Sequence, residues 1–354
     1  MNRTILLGLA VVTTVGVTSA LAGCNRDSPA ADGGGATAPI VGVDYPRSDT
    51  DFWNSYIRYV PESAKELGVE LKTTNSQNDV ATLISNVQTF VSQGVKAVVM
   101  APQDTAAIAP SLEQLATKKI PVVTIDTRPD TGSVAMVVRA DNRAYGTKAC
   151  QFLGAKLGGK GKVVMLQGDL ASINGRDRTE AFNDCMKKDF PGIKVFGEVT
   201  DWKGDVAASK LQTRLASDPD VKGVYMQSSF ALSGTKQVLK QKGLLVPPSD
   251  PKHVFIVSND GIPEELKDIK AGLIDATVSQ PADLYAKYGL FYAKAAIDGK
   301  TFQPGPTDHD STIIKVRDGL LEDQLSAPLV TADGATIGGE KTAKYDDKSL
   351  WGAS

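Results

Sequence analysis

Short polar loops follow apolar segments at several places along the 354-residue chain. They combine side chains that could bind hydroxyl groups, and they comprise residues 44–53, 126–128, 172–178, 201–203, 227–229, 259–261 and 279–280. Carboxylates accept hydrogen bonds from hydroxyls and arginine donates to them, and such charge-assisted bonds are about twice as strong as neutral ones. Aromatic rings can cover the C–H face of a sugar. The mixture predicts binding of a sugar or another polyhydroxy compound.

The same side chains have structural interpretations as well. Phe52 and Trp53 could equally pack in a core, whereas Trp202 lies in a polar loop between two charged residues and favours contact with a ligand. Asp126 and Asp260 could be solvated acids or helix N-caps. At a suitable separation they could also be the acid and nucleophile of a glycosidase.

Composition excludes other kinds of site. The chain has 39 Lys+Arg against 41 Asp+Glu, a formal net charge of −2, which gives no electrostatic basis for binding nucleic acid. Its 2 histidines, His253 and His309, form no zinc-binding pair. No GxGxxG motif opens a helix after the first predicted strand. We therefore expect neither a metal nor a cofactor.

The elements that must position these loops alternate between β and α. Predicted strands comprise residues 40–43, 69–73, 97–100, 122–125, 163–166, 195–199, 223–226, 254–257, 276–278 and 312–316. Among the predicted helices are residues 143–157, 176–188, 206–216, 231–242, 263–271 and 282–297. This rhythm predicts two α/β lobes with parallel sheets covered on both faces. Such sheets bind ligands beyond the carboxyl ends of their strands, where the polar loops stand.

The N-terminal residues carry an export signal. Arg3 precedes an apolar stretch over residues 5–17, which is too short to span a membrane comfortably. Leu21-Ala22-Gly23-Cys24 resembles a bacterial lipobox, which implies a signal peptide over 1–23, acylation of Cys24 and a tether over 24–39. The protein would then be extracytoplasmic and held to the membrane only by its lipid. The alternative is an ordinary signal peptide with an incidental cysteine.

Motifs in the body occur in a characteristic order. They comprise residues 51–53, 76–78, 121–126, 140–142, 166–168, 175–182, 259–261 and 276–280. Over about residues 40–316 the chain resembles the ribose-binding-protein branch of periplasmic-type sugar-binding proteins, the receptors of ABC importers. The resemblance implies the type I fold of that family, with two doubly wound parallel-sheet lobes joined by a three-segment hinge.

The resemblance also implies ligand-binding roles for specific residues, which are Phe52, Trp53, Asp126, Thr127, Arg178, Trp202, Ser228, Asp260 and Gln280. Four residues at three places depart from the pattern of ribose binders. Thr127 stands where those proteins have arginine, Ser228-Ser229 replaces Asn-Asp, and Thr50 stands where a ligand asparagine is expected. The expected ligand is therefore a small neutral pentose, hexose or alditol, and not ribose specifically.

The family's mechanism is closure of two lobes on the ligand. We expect chain crossings near 140–141, 280–281 and 309–310, which gives a first lobe of 40–140 plus 281–309. The second lobe would be 141–280 plus 310–330, followed by a tail over 331–354. The expected protein is a monomer that delivers its ligand to a membrane permease. A chemotaxis or signalling receptor and, less in keeping with the motifs, a secreted sugar-processing enzyme remain alternatives.

Cys150 and Cys185 fall in two predicted helices of the second lobe. Outside the cytosol they could form a disulfide, provided that both helices lie on the same face of the sheet. The alternative is a pair of buried thiols.

Overall fold

The computed structural model describes residues 38–353. The predicted signal peptide over 1–23, Cys24 and tether residues 24–37 lie outside these residues, as does Ser354. Within the described range, none of the helices combines the length and the hydropathy that a membrane span requires.

The helices of the described residues are α1 (Asp51–Leu67), α2 (Val80–Ser92), α3 (Ala109–Thr117), α4 (Asn142–Lys156), α5 (Ile173–Asp189), α6 (Gly204–Ser217), α7 (Leu232–Gln241), α8 (Pro263–Ala271) and α9 (Ala282–Ile297). Side chains define several of their starts. Thr50, Asp79, Asp141 and Ser172 each accept a hydrogen bond from a backbone N–H in the first turn of the helix that follows.

The strands divide between two large sheets. They are β1 (Ile40–Tyr45), β2 (Glu70–Asn75), β3 (Ala97–Met100), β4 (Val122–Ile125), β5 (Met136–Ala140), β6 (Lys160–Gln167), β7 (Gly192–Val199), β8 (Gly223–Met226), β9 (Phe255–Asp260), β10 (Ala276–Ser279), β11 (Gly305–Pro306), β12 (Ser311–Arg317), β13 (Leu320–Leu325), β14 (Leu329–Thr331), β15 (Thr336–Ile337), β16 (Glu340–Lys341) and β17 (Ala343–Lys344). The first sheet has the order β11-β12-β13-β5-β4-β3-β1-β2, and the second has the order β17-β14-β10-β9-β8-β6-β7. Strands β15 and β16 form a small separate hairpin.

The predicted α/β class with two parallel-sheet lobes is confirmed. Strands β1 to β5 pair in parallel in the first sheet, and β6 to β10 pair in parallel in the second. Central strands such as β3, β4 and β8 are buried at every residue, because helices cover both faces of the sheet. Their carboxyl ends therefore provide the exposed positions at which a ligand could reach the sheet.

The prediction that 310–330 belongs to the second lobe is wrong for most of this segment. Strand β12 pairs antiparallel with β13, and β13 pairs in parallel with β5 at the edge of the first sheet. The chain enters the second sheet only at β14, which pairs with β10. The third crossing consequently lies between Leu325 and Leu329, and not at 309–310.

The segment over 331–354, which the sequence predicts to be a tail, contributes a strand to the second sheet. Within its described part, β17 pairs in parallel with β14 and extends the edge of the second sheet. The last described residues form a single 3-10 turn, Trp351–Ala353, whose first two residues are buried.

A disulfide joins Cys150 of α4 to Cys185 of α5, with the two Cα atoms 6.2 Å apart. The helices pack directly on each other, and the backbone of Arg178 and Phe182 lies close against Gly146. Of the two possibilities left open by the sequence, the structure therefore has the bonded pair, because α4 and α5 lie on the same face of the second sheet.

Candidate functional site

The candidate site lies between the lobes at the carboxyl ends of the parallel strands. Phe52 and Trp53 begin α1 after β1, Asp126 follows β4, Asp260 ends β9 and Gln280 follows β10. This is the arrangement expected for ligand sites of open parallel sheets.

These residues and their neighbours line one cavity with about 440 Å³ of empty space, part of it open to solvent. Its lining consists of Arg47, Thr50, Phe52, Trp53, Gln103, Asp126, Ser172, Asn174, Arg178, Trp202, Ser228, Phe230, Asp260 and Gln280. Eight of the nine predicted ligand-binding residues are therefore brought together.

Unusual backbone conformations accompany the turns of the site. Asp126, Asp201, Trp202 and Asp260 have φ values of 61°, 52°, 57° and 116°, in a region that non-glycine residues rarely adopt. Such conformations persist only where the surroundings hold them, and they concentrate at functional sites. The clustering of strained residues around the cavity supports a functional role for it.

Arg178 is held by the protein on all sides. Its Nε donates to Asn142 Oδ1 at 2.7 Å, Nη2 donates to Gln280 Oε1 at 2.8 Å, and Nη1 donates to the Gln227 carbonyl. The guanidinium also lies 4.8 Å from the centre of the Tyr145 ring and faces Trp202. These contacts fix the orientation of a buried cation next to the cavity.

The Asp260 carboxylate accepts three hydrogen bonds through Oδ2. The donors are Ser228 Oγ at 2.6 Å, Ser229 N at 2.8 Å and Ser229 Oγ at 2.6 Å. Burial raises the pKa of Asp260, and Arg178 and the serines oppose that effect. The Ser228-Ser229 pair, which departs from the pattern of ribose binders, thus serves to hold Asp260.

Asp126 is the second acid of the cavity. Its Oδ1 accepts from Gln280 Nε2 at 3.2 Å. Burial and the nearby Asp260 raise the pKa of Asp126, while Arg178 and Arg139 lower it, and the net pKa is about 6. The carboxylate is therefore available as a charged acceptor at neutral pH.

Aromatic rings form the apolar walls. Phe52 packs edge-on against Trp53 with ring centres 5.1 Å apart, so both rings belong to the core and to the cavity at once. Trp202 packs over Gly168, where a Cβ atom would lie 2.0 Å from the indole ring. Only glycine at 168 leaves room for that ring. The Trp202 Nε1 donor has no hydrogen-bond partner within residues 38–353, which leaves it available to a ligand.

The structure does not support the predicted ligand contact of Thr127. Asp126 occupies a tight turn in which Thr127 N donates to Ile125 O at 2.6 Å. This turn directs Asp126 to the cavity and leaves Thr127 buried outside its lining. Arg128, the next residue, instead pairs with Glu322 at 2.8 Å.

Sequence reasoning did not assign ligand contacts to six of the lining residues, which are Arg47, Thr50, Gln103, Ser172, Asn174 and Phe230. Four of them lie in the polar loops singled out above. Gln103 follows β3 and Phe230 follows β8, so the rule that selects the carboxyl ends of strands could have found both.

Polar contacts also join the two lobes across the cleft. Arg176 Nη2 on α5 lies 2.6 Å from Asp130 Oδ1 and 3.2 Å from Thr105 Oγ1 in loops of the first lobe. Arg47 Nη1 donates to the Trp202 carbonyl at 3.3 Å. The structure therefore represents an arrangement in which the lobes touch around the cavity.

Comparisons with known proteins agree with this geometry. Residues 41–301 match the family model of a periplasmic binding protein domain. The chain is 31% identical over 245 residues to a xylitol-binding protein of Mycolicibacterium smegmatis, covering 69% of this chain and 68% of that protein. It is 26% identical over 263 residues to a ribose import binding protein of Bacillus subtilis, covering 74% and 83%.

Solved structures show the same fold. An ABC transporter solute binding protein from Mycobacterium smegmatis with bound glycerol superposes with a TM-score of 0.73 at 24% identity. The match covers 86% of this chain and 99% of that one.

Proposed function

The chain belongs to the family of periplasmic binding protein domains, and on that premise we propose that it captures a monosaccharide or sugar alcohol and delivers it to an ABC importer. The observation that carries the proposal is the lining of the interlobe cavity. Two carboxylates, two arginines, three amides and three hydroxyl side chains stand there among four aromatic rings. This set can bind several hydroxyl groups while apolar rings cover the C–H surface.

The charges of the cavity favour a neutral ligand over an anion. Arg47 is already paired with Asp49, and Arg178 lies beside the carboxylates of Asp126 and Asp260, so an anionic ligand would find no arginine without a carboxylate partner. An uncompensated buried charge carries a large desolvation cost. Hydroxyl groups add no net charge, and they can both donate to the acids and accept from the arginines.

The polar side chains of the cavity favour a sugar alcohol or a sugar other than ribose. Ser228 is engaged with Asp260, Thr50 caps α1, and Thr127 lies outside the lining, so the three departures from ribose binders change the polar contacts on both lobes. The relative at 31% identity is named as a xylitol-binding protein, which supports an alditol as the ligand.

A binding screen tests the proposal. Thermal unfolding of the full chain should be recorded with pentoses, hexoses and their alditols, and hits should be measured by calorimetry. A ligand at 100 times its dissociation constant adds about 2.7 kcal/mol to the free energy of unfolding, which raises the melting temperature visibly. Absence of any shift or binding heat across the panel would contradict the proposal.

The same samples distinguish a receptor from an enzyme. We expect each bound sugar to be recovered chemically unchanged after prolonged incubation, as judged by nuclear magnetic resonance. Product formation that is lost in both Asp126→Asn and Asp260→Asn variants would instead support a sugar-processing enzyme.

We further propose that Cys24 is acylated after removal of residues 1–23, which would retain the receptor at the outer face of the membrane. Leu21-Ala22-Gly23-Cys24 supports this proposal. Metabolic labelling with a fatty acid should mark the wild-type chain and not the Cys24→Ala variant. Equal labelling of both would overturn it.

A further inference from the structure

The last described residues of the chain lie directly behind the cavity. Trp351 is 5% exposed, and the family match ends fifty residues earlier, at residue 301. The chain contains 3 tryptophans. Trp53 and Trp202 line the cavity, whereas Trp351 packs against lining residues without itself reaching the cavity surface.

Trp351 contacts the second lobe at a strained residue. Its Nε1 donates to the carbonyl oxygen of Asp260 at 3.1 Å, and the backbone N–H of Gln280 donates to the same oxygen at 2.9 Å. Asp260 has a φ of 116°, which an amino acid with a side chain adopts only when its surroundings hold it. Trp351 therefore helps to hold the conformation that directs the Asp260 carboxylate into the cavity.

The backbone beside Trp351 is equally close to this turn. A Cβ atom at Gly352 would lie 2.1 Å from the carbonyl oxygen of Gly261, so only glycine allows the end of the chain to pack there. The N–H groups of Gly261 and Ile262 donate to buried Glu265 at 2.7 and 3.3 Å. The turn is thus held by Glu265 and by the C-terminal residues.

Trp351 also contacts the first lobe. Its ring packs edge-on against Phe52, with ring centres 6.0 Å apart, and Phe52 in turn packs against Tyr285 at 6.1 Å. Phe52 is part of the cavity wall. One side chain therefore joins a wall residue of the first lobe to an acid of the second.

We propose that Trp351 is a positioning residue for ligand binding, which holds the Asp260–Gly261 turn and the Phe52 ring together and so links the C-terminal segment to lobe closure. The inference rests on the proposed function for its ligand, but the bracing of the turn can be measured without one. Because Trp351 contacts both lobes, its loss should disfavour the closed arrangement and weaken binding.

The test compares Trp351→Ala and Trp351→Phe with the control Tyr345→Ala in the full chain. Tyr345 belongs to the same C-terminal segment and packs on the core, but it does not line the cavity. Hydrogen exchange of the Gly261 and Ile262 amides is measured without ligand, and affinity is measured by calorimetry with xylitol or, if xylitol does not bind, with the best hit of the screen.

We expect Trp351→Ala to accelerate exchange at both amides and to weaken binding at least about tenfold, the effect of losing one to two well-made contacts. Trp351→Phe should restore part of the affinity, because it keeps an aromatic ring against Phe52 but lacks the N–H donor. Tyr345→Ala should lower the melting temperature without either effect.

Two results would overturn the inference: wild-type exchange at the turn in Trp351→Ala, or a loss of affinity no larger than that of Tyr345→Ala. If the wild-type chain binds no compound of the screen, the proposed function fails and the exchange measurement alone decides whether Trp351 braces the turn.

Discussion

Asp126 is a buried acid whose charge state should control affinity. Its pKa is raised to about 6, chiefly by burial. Arg178 and Arg139 lower the pKa, and Asp260 raises it. Hydroxyl donors bind the charged carboxylate better, so protonation competes with the ligand. We expect affinity measured by calorimetry to fall about tenfold from pH 7 to pH 5. Asp126→Asn should bind more weakly at pH 7 and lose most of this dependence.

Folding stability should depend on pH in the opposite direction to ligand affinity: the contribution of Asp126 to stability falls as pH rises. The pKa of Asp126 in the folded chain exceeds its ordinary value of 3.8. Between pH 3.8 and about 6, the folded state therefore keeps a proton on Asp126 that the unfolded state has released. The contribution of Asp126 to the free energy of unfolding is therefore greatest at low pH and is lost as pH rises through about 6. The Asn variant should lack this component in urea unfolding. Identical pH profiles for variant and wild type, in both binding and unfolding, would contradict the assignment.

Arg178 offers a second test at the level of one residue. In Arg178→Lys the positive charge remains, but a lysine cannot reproduce the planar fork that reaches Asn142, Gln227 and Gln280. Each buried group left unpaired costs about 1–3 kcal/mol, so both affinity and melting temperature should fall.

Arg143→Lys is the matched control for this change. Arg143 is 48% exposed on α4 and forms ion pairs with two exposed acids, which contribute little to stability. We expect this control to behave as wild type. An Arg178→Lys variant with the same affinity and melting temperature as the control would remove Arg178 from the candidate site.

At the scale of elements, the Cys150–Cys185 bond ties α4 to α5, the helix that carries Arg178. Closing a loop with a sequence separation of 35 residues stabilises the folded chain by about 4 kcal/mol in the chain-entropy account. The double variant Cys150→Ala/Cys185→Ala should lose stability on this scale in denaturant unfolding. Its affinity should stay within about twofold of wild type, because neither cysteine lines the cavity.

Reduced wild-type protein provides the control, since it should match the double variant in stability. A loss below about 1 kcal/mol in both samples would show that the helix contacts alone hold α4 and α5 together.

Elements with clear apolar patterns have the bounds that the sequence predicts, and other elements do not. The bounds of β3, β4, β8, α8 and α9 agree with those expected, since these elements carry clear apolar patterns. Strands β5, β13 and β14 were not predicted: β14 is only three residues long, and β5 and β13 each carry charged residues that are buried through distant partners. Arg139 of β5 is 1% exposed and lies 3.8 Å from Glu322 of β13, while it bonds Asp177 of the second lobe at 3.1 Å. Partners that distant in sequence leave no local periodic signal.

At the scale of the whole molecule, the pair of Arg176 and Asp130 joins the lobes at the rim of the cleft. Both side chains are 30% exposed, so the pair should contribute at most about 1 kcal/mol to closure. We expect Asp130→Asn to weaken ligand binding by up to about fivefold and to increase the radius of gyration of the ligand-free chain in X-ray scattering.

The control is Asp318→Asn, which breaks the exposed pair of Lys315 and Asp318 within the first lobe. It should change neither quantity. The effect of Asp130→Asn should also shrink at high salt, because partly exposed charges are screened. Equal affinities for both variants and wild type would show that the rim pair has no part in closure.

The amino-acid sequence by itself determined the α/β class, the rhythm of strands and helices, and the loops at strand ends that carry most of the cavity. It could do so because apolar periodicity and polar strand ends are local patterns, and because parallel sheets place those ends on one edge. Only the tertiary structure decided which lobe receives β12 and β13, that Thr127 stays outside the cavity, and that Trp351 lies behind Asp260. These outcomes depend on pairing and packing between residues far apart in the chain, and the energies of such contacts are not encoded in any short segment.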